Sequence, residues 1–301
     1  MMRRIEVAEV IDGKRVAAEI REEVKRDVDQ LKIHGVTPGL AVVLVGENPA
    51  SAVYVRMKAR ACEEAGIYSR VIRMSAETSQ TELEKVIDEL NADKAIHGML
   101  VQLPLPDQIE ERAIIWRIAP EKDVDGFHPM NVGRVMIGDP QAFRPATPAG
   151  VVELLMRGGF DPSGKRVTIV GRSNIVGRPL AVMLSQKMKG GNATVTLAHS
   201  RTPDLPAVLR EGDILVAAIG VPEFVKAEAV KPGAVVIDVG VNRVDDSSTE
   251  KGYRLVGDVA YEEVFEVARA ITPVPGGVGP MTIAMLLSNC IVAARGIAGI
   301  S

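Results

Sequence analysis

The strongest constraint on this chain is an alternation of short apolar runs with amphipathic helical segments, which occurs twice along its length. The clearest run is 40–45 (LAVVLV), framed by Gly39 and Gly46, the pattern of a strand covered on both faces. Before it, Val16, Ala17, Ile20, Val24, Val28 and Leu31 recur at helical spacing and predict a helix that ends before Gly35. After it, residues 69–74 alternate like a strand, and Ser79 with Glu82 makes a capping-box pattern opening a helix carried by Leu83, Val86, Ile87 and Leu90. Residues 98–103 (GMLVQL) read as the next strand, ended by Pro104 and Pro106, and 109–118 as a short helix. This order predicts a parallel sheet with helices on its faces. Residues 120–148 are rich in Pro, Gly and Asp and lack periodicity, so a long functional or interdomain loop is expected, with the domain boundary near Pro148.

The second half repeats the alternation. A strand at 166–170 leads into Gly171-Arg172-Ser173-Asn174-Ile175-Val176-Gly177 and a helix to about Met188. Strands are expected at 193–198, 214–219, 234–239 and 254–259, with helices at 205–210 and from Tyr261. Such a series after a glycine-containing first turn resembles a Rossmann-type nucleotide domain. The apolar helical segment 281–298 needs a partner for its apolar face and is expected to return to the first domain. The fold class is therefore α/β: two α/β domains, the second Rossmann-type, with a cleft between them. Their expected extents are 1–147 plus 280–301, and 148–279.

A net charge of −3 gives no reason to expect a nucleic-acid or anionic membrane partner. Cys62 and Cys290 lie far apart and outside any ligand pattern, and His34, His97, His128 and His199 are scattered, so no metal site is expected and a reducing compartment is. The basic start, residues 1–4, is followed by Glu6, Glu9 and Asp12 without an apolar stretch, which argues against a signal peptide. The longest apolar run, 214–219, is far short of the roughly 20 residues of a membrane span. A cytoplasmic location is the expectation.

Within the first domain, Asn48, Pro49 and Gly66 supply the N-cap, first-turn and C′ signals of a helix. Val53, Met57 and Ala61 recur four apart and are expected to face inward, while Tyr54 and Lys58 share an adjoining stripe. A phenol and an amine there can orient and protonate a substrate; a solvated Lys beside a half-buried Tyr satisfies the same spacing. Gln102 sits at a strand's carboxyl end, where ligands bind in open α/β sheets. Asp123 and Asp125 lie in the long loop, where a carboxylate can accept paired hydrogen bonds from an amino-heterocycle or simply be solvated. Trp116 is expected to be packing.

In the second domain the turn 171–177 stands where a dinucleotide pyrophosphate binds, although Ser173 replaces the second Gly of GxGxxG and the last Gly comes one place late. An NAD site places a carboxylate at the end of the next strand; this chain has His199-Ser200-Arg201-Thr202 there and Arg172 in the preceding turn. Donors and positive charge at that point suit a 2′-phosphate, hence NADP. In Pro275-Gly276-Gly277-Val278-Gly279-Pro280 the glycines permit close approach to a flat ligand, or a tight structural turn. From these residues alone, a dehydrogenase for another small substrate and a non-catalytic nucleotide-binding protein both remain open.

Taken together, YVRMK (54–58), GMLVQLPLP (98–106), PEKDVDGFHPMNVGR (120–134), PATPAG (145–150), GRSNIVGRP (171–179), KPGAVVIDVGVN (231–242) and TPVPGGVGPMT (272–282) resemble the bifunctional methylenetetrahydrofolate dehydrogenase/cyclohydrolases in order and approximate spacing. Ala146 stands where many members carry Cys; the rest of that motif is intact. The resemblance implies that Lys58 is the main acid/base residue, that Tyr54 lines the folate site, that Gln102 hydrogen-bonds Lys58, and that Asp125 anchors the pterin. It implies a folate border at 274–279, including Pro275, Gly276 and Gly277, and nucleotide contacts at Gly171, Arg172, Ser173, Ser200 and Val241. It also implies oxidation of 5,10-methylenetetrahydrofolate with NADP, hydrolysis to 10-formyltetrahydrofolate, and a homodimer formed through the C-terminal domain.

Overall fold

The structure, a computed structural model, describes residues 8–250 and 252–300; the basic start and Glu6 of the N-terminal signal reading fall outside them. The elements are β1 (Glu9–Val10), α1 (Gly13–Ile33), β2 (Gly39–Val45), α2 (Pro49–Ala65), β3 (Tyr68–Met74), α3 (Gln80–Ala92), β4 (Gly98–Val101), α4 (Glu111–Arg117), α5 (Pro129–Ile137) and α6 (Ala146–Arg157). Then follow β5 (Arg166–Val170), α7 (Gly177–Ser185), β6 (Thr194–Ala198), α8 (Leu205–Arg210), β7 (Ile214–Ala217), β8 (Val235–Asp238), β9 (Asn242–Asp245), β10 (Tyr253–Val256), α9 (Tyr261–Phe265), β11 (Ala270–Ile271) and α10 (Val278–Ala298).

Contacts divide the chain into two compact units, one of Ala18–Ala146 with Ile283–Ser301, the other of Thr147–Thr282 with the residues up to Ala17. Pro148, the expected boundary, lies inside α6. The described residues before Ala18 group with the later unit because β1 pairs in parallel with β11.

In the first unit β3-β2-β4 form a parallel sheet. Every residue of β2 is buried, as its unbroken apolar run requires. Leu83, Ile87 and Leu90 of α3 pack with Ala41, Val43, Met99 and Ile114 in one core. The capping box at Ser79 and Glu82 is formed in full. From α10, Asn289 donates to the carbonyls of Val124 and Arg144 at 2.8 and 2.9 Å, and Arg295 pairs with Asp27 at 2.8 Å. Among the described residues α10 is the one helix long and apolar enough to cross a membrane; Ile283, Leu286, Leu287, Cys290, Ile291 and Ala294 are buried, as in a core helix.

Three sequence expectations are corrected. The stretch 120–148 is not aperiodic throughout: it contains α5, where Pro129 takes the first helical position and His128 Nδ1 accepts from Met130 N–H at 3.1 Å. The helix is short, interrupted by Gly133 and apolar on its exposed side, so its sequence carries no clean period. Trp116 is not a packing residue; it is 55% exposed with the Arg112 guanidinium over its ring. The run expected as a strand at 254–259 supplies β10, which pairs antiparallel with β9 in a separate hairpin. A short turn permits only that arrangement, since a parallel return needs a crossover.

In the second unit six strands, among the described residues, form an all-parallel sheet in the order β1-β11-β8-β7-β5-β6. The chain leaves β5 for β6 on one side, then returns to β7 on the other, which creates a topological switch beside β5. The first unit is wound the same way, from β2 to β3 on one side and to β4 on the other. Ligands of open α/β sheets bind at the carboxyl ends of strands at such switches. Both groups of candidate residues lie at these ends.

Candidate active site

In the first unit, α2 is capped as its sequence dictates: Asn48 Oδ1 accepts from Ser51 N–H at 3.0 Å, and Gly66 closes the helix in the left-handed conformation with φ 76°. The inward face, however, is made by Ser51, Val55, Lys58, Cys62 and Ala65. Val53 and Met57, expected inside with Ala61, are 44% and 48% exposed, while Ala61 is buried. Small residues allow the helix to approach β2 and β3 closely, and that stripe wins over the one carrying the larger apolar side chains.

Lys58 is therefore an amine on a buried face, 8% exposed, and its Nζ donates to Gln102 Oε1 at 3.0 Å. Gln102 is held in turn: its N–H extends the sheet to the Val43 carbonyl at 2.8 Å, and its Nε2 donates to the Leu103 carbonyl at 2.9 Å. The amide therefore presents its oxygen to the lysine. Tyr54 stands on the exposed side of the helix, 41% exposed. Beneath Lys58, burial pushes the Cys62 thiol up to about 12, so the neighbour is a neutral thiol rather than a thiolate.

The two loop aspartates have different tasks. Asp123 is buried and accepts from Phe127 N–H at 3.3 Å, His128 N–H at 2.8 Å and Asn131 Nδ2 at 2.8 Å, so it shapes the loop. Asp125 is raised to about 6 by desolvation, with the Lys58 charge pulling down and Asp123 pushing up. The Lys58 amine thus acts electrostatically on the Asp125 carboxyl within the first unit. Because the folded value of about 6 lies above the unperturbed 3.8, the folded chain holds this proton more tightly than the unfolded chain. Its stabilising contribution is complete below about pH 4 and is lost as pH rises through about 6. The unfolding free energy of wild type relative to Asp125→Asn should fall over that window in urea titrations; a difference that is flat or rises contradicts the assignment.

In the second unit a cavity of about 340 Å³ opens at the switch point, lined at the ends of β5, β6 and β7 by Gly171, Arg172, Ser173, His199, Ser200 and Ile219, among others. Gly171 has φ 123°, and a Cβ on it would lie 2.0 Å from the Ala218 carbonyl oxygen; one on Gly177 would lie 1.9 Å from the Gly171 carbonyl oxygen. The turn is thus built for backbone at contact distance, although it departs from GxGxxG. Ser173, in the place of the second Gly, closes it by accepting from Val176 N–H at 3.1 Å. Among the described residues no side chain caps the start of α7; Arg178 N–H is bonded to the Ser173 carbonyl at 3.1 Å and Pro179 has no N–H, so the turn itself closes the helix start. The walls also include Val221 and Phe224, which motif reading missed; their position past a strand end is the signal that finds them.

Four of the five expected nucleotide-contacting residues line this cavity; Val241 is exposed on the loop after β8 and is not among its lining residues. In the glycine-rich run, Gly276 and Gly277 are buried and Pro275 is exposed. The close approach found there is internal: a Cβ on Gly13 would lie 1.8 Å from the Gly277 carbonyl oxygen, so α1 starts against this run.

Both halves of the chain match known proteins. Residues 11–125 match the family profile "Tetrahydrofolate dehydrogenase/cyclohydrolase, catalytic domain", and 145–297 match "Tetrahydrofolate dehydrogenase/cyclohydrolase, NAD(P)-binding domain". The chain is 59% identical to the bifunctional protein FolD of Moorella thermoacetica, over 96% of this chain and 99% of that one. Among solved structures, the Campylobacter jejuni FolD methylenetetrahydrofolate dehydrogenase/cyclohydrolase is 47% identical, with a TM-score of 0.90 over 96% of this chain and 99% of its own. The Trypanosoma brucei enzyme, solved with NADP cofactor and inhibitor, is 41% identical with a TM-score of 0.90, over 96% of this chain and 98% of its own. With both halves matched and a relative aligned along almost its whole length, the chain belongs to the tetrahydrofolate dehydrogenase/cyclohydrolase family.

Proposed function

We propose that this protein oxidises 5,10-methylenetetrahydrofolate to 5,10-methenyltetrahydrofolate with NADP and then hydrolyses the product to 10-formyltetrahydrofolate. The observation that carries the reading is the buried Lys58 ammonium donating to Gln102, with Asp125 within reach of its charge. In the oxidation the folate nitrogens stabilise the developing cation, so the protein's task is mainly orientation. NADP, when bound, accepts the hydride at its nicotinamide. Gly171 and Ser173 shape the phosphate turn, while Arg172 and Ser200 supply charge and a donor for the 2′-phosphate. The absence of a carboxylate from 199–202 suits that dinucleotide.

In the hydrolysis, water adds to the methenyl bridge and the ring opens, which requires protons to be moved at the substrate. Lys58 carries them, Gln102 fixes the direction of its N–H bonds, and Asp125 holds the pterin. Tyr54 lines the folate site, and Pro275, Gly276, Gly277 and Val241 border the bound ligands. We further propose a cytoplasmic homodimer formed through residues 148–279, with a small-molecule folate substrate and neither nucleic-acid nor membrane partner. Steady-state kinetics test the reading: nucleotide reduction and methenyl decay should both be catalysed, with NADP preferred over NAD. Absence of either activity, or a preference for NAD, overturns the corresponding part. Light scattering on the same preparation tests the dimer against the 32.2 kDa chain.

A further inference from the structure

Two buried aspartates of the second unit take no part in the chemistry above. Asp258 is fully buried just beyond β10, and both oxygens of its carboxylate accept hydrogen bonds. Oδ2 accepts from the N–H groups of Ile219 and Gly220 at 2.7 and 2.9 Å, and Oδ1 accepts from Asn242 Nδ2 at 2.9 Å. Asp238, at the end of β8, accepts from the N–H groups of Gly240, Asp258 and Val259 at 3.0, 2.9 and 2.9 Å. The two segments interlock. A Cβ on Gly240 would lie 2.1 Å from Asp258 Oδ1, and one on Gly257 would lie 1.7 Å from Asp238 Oδ2. Each carboxylate thus occupies the space vacated by a glycine beside the other.

The anchored groups point to a purpose. Ile219 lines the cavity at the switch point, and Gly220 follows it before Val221, another lining residue. Val241 lies between Gly240, held by Asp238, and Asn242, held by Asp258. A single carboxylate therefore ties the loop after β7 to the loop after β8, the two strand ends next to the phosphate turn on one side of the switch. A charged acceptor serving several donors is a stronger tie than a neutral one.

We infer that Asp258 is a positioning residue of the dinucleotide site, fixing Ile219–Gly220 and, through Asn242, the Val241 loop. The inference rests on the NADP reading above and extends it to residues outside the cavity. Asn242 offers the cleaner test, because it is partly exposed while Asp258 is fully buried. Asn242→Ala removes one tie, and Asn242→Asp sets a second carboxylate against the first. The KM for NADP should rise about tenfold in the Ala variant and further in the Asp variant, from loss of a charge-assisted hydrogen bond. kcat at saturating NADP should change less than about twofold, and methenyltetrahydrofolate hydrolysis, which needs no nucleotide, should be unchanged. Asp258→Asn should act in the same direction and more strongly, since its amide turns N–H groups towards N–H groups.

A wild-type KM for NADP in both Asn242 variants overturns the inference. So does a parallel fall of both activities with the thermal midpoint, the signature of a merely structural role. If the wild-type chain itself shows no NADP-dependent oxidation, the functional reading fails first and takes this inference with it.

Discussion

Lys58→Met should lose methenyltetrahydrofolate hydrolysis by about 10²- to 10⁴-fold, the range for removing a positioned proton-transfer group. The substitution is chosen so that the fold survives. Lys58 already lies on the buried face of α2 beside Val55 and Cys62, where an unbranched thioether of similar length packs without burying an unpaired charge. Gln102 loses a donor but keeps its own bonds to Val43 and Leu103, so the end of β4 stays in place. NADP affinity should be unchanged, because the phosphate turn is built from the other unit. Methenyl decay measured beside nucleotide titration decides the matter. Hydrolysis at the wild-type rate would remove Lys58 from the mechanism.

The second large effect is expected from Gly171→Ala. The residue has φ 123°, which a side chain resists, and the new methyl would meet the Ala218 carbonyl at 2.0 Å. Backbone, not a flexible side-chain end, is the obstacle, so β5 and β7 must separate at the mouth of the cavity. The second unit should lose about 3 kcal/mol or more of stability. NADP-dependent oxidation should fall at least about a hundredfold, from misplacement of the phosphate turn. Cyclohydrolase activity should outlast it at low temperature. An Ala variant with unchanged KM for NADP and an unchanged melting curve would show that the turn does not hold the dinucleotide.

Much of this architecture is legible in the chain because strands buried on both faces leave continuous apolar runs, as at 40–45, and because caps such as Asn48, Ser79 and Gly66 act locally. The inward face of α2 was harder to read. Helical spacing offers several stripes, and the one chosen by packing is made of Ser51, Val55, Lys58, Cys62 and Ala65, of which few are conspicuously apolar. The contact between Lys58 and Gln102 spans 44 positions. Spacing along α2 supplied only the Tyr54/Lys58 stripe, and the resemblance supplied the partner. The Asp238–Asp258 interlock was invisible for the same reason: each acid reads as ordinary until its glycine counterpart, some twenty positions away, is beside it.

The chain order of the first unit has a practical consequence for anyone dissecting the protein. The part of α10 from Ile283 onward is encoded after the second unit, yet its Asn289 supplies donors for the Val124 and Arg144 carbonyls and its Arg295 meets Asp27. A gene fragment stopping at Ala146 would therefore lose the Asn289 donor and leave a stripe of core side chains uncovered. A minimal hydrolase would have to be made by splicing the C-terminal helix onto that fragment, not by shortening the reading frame.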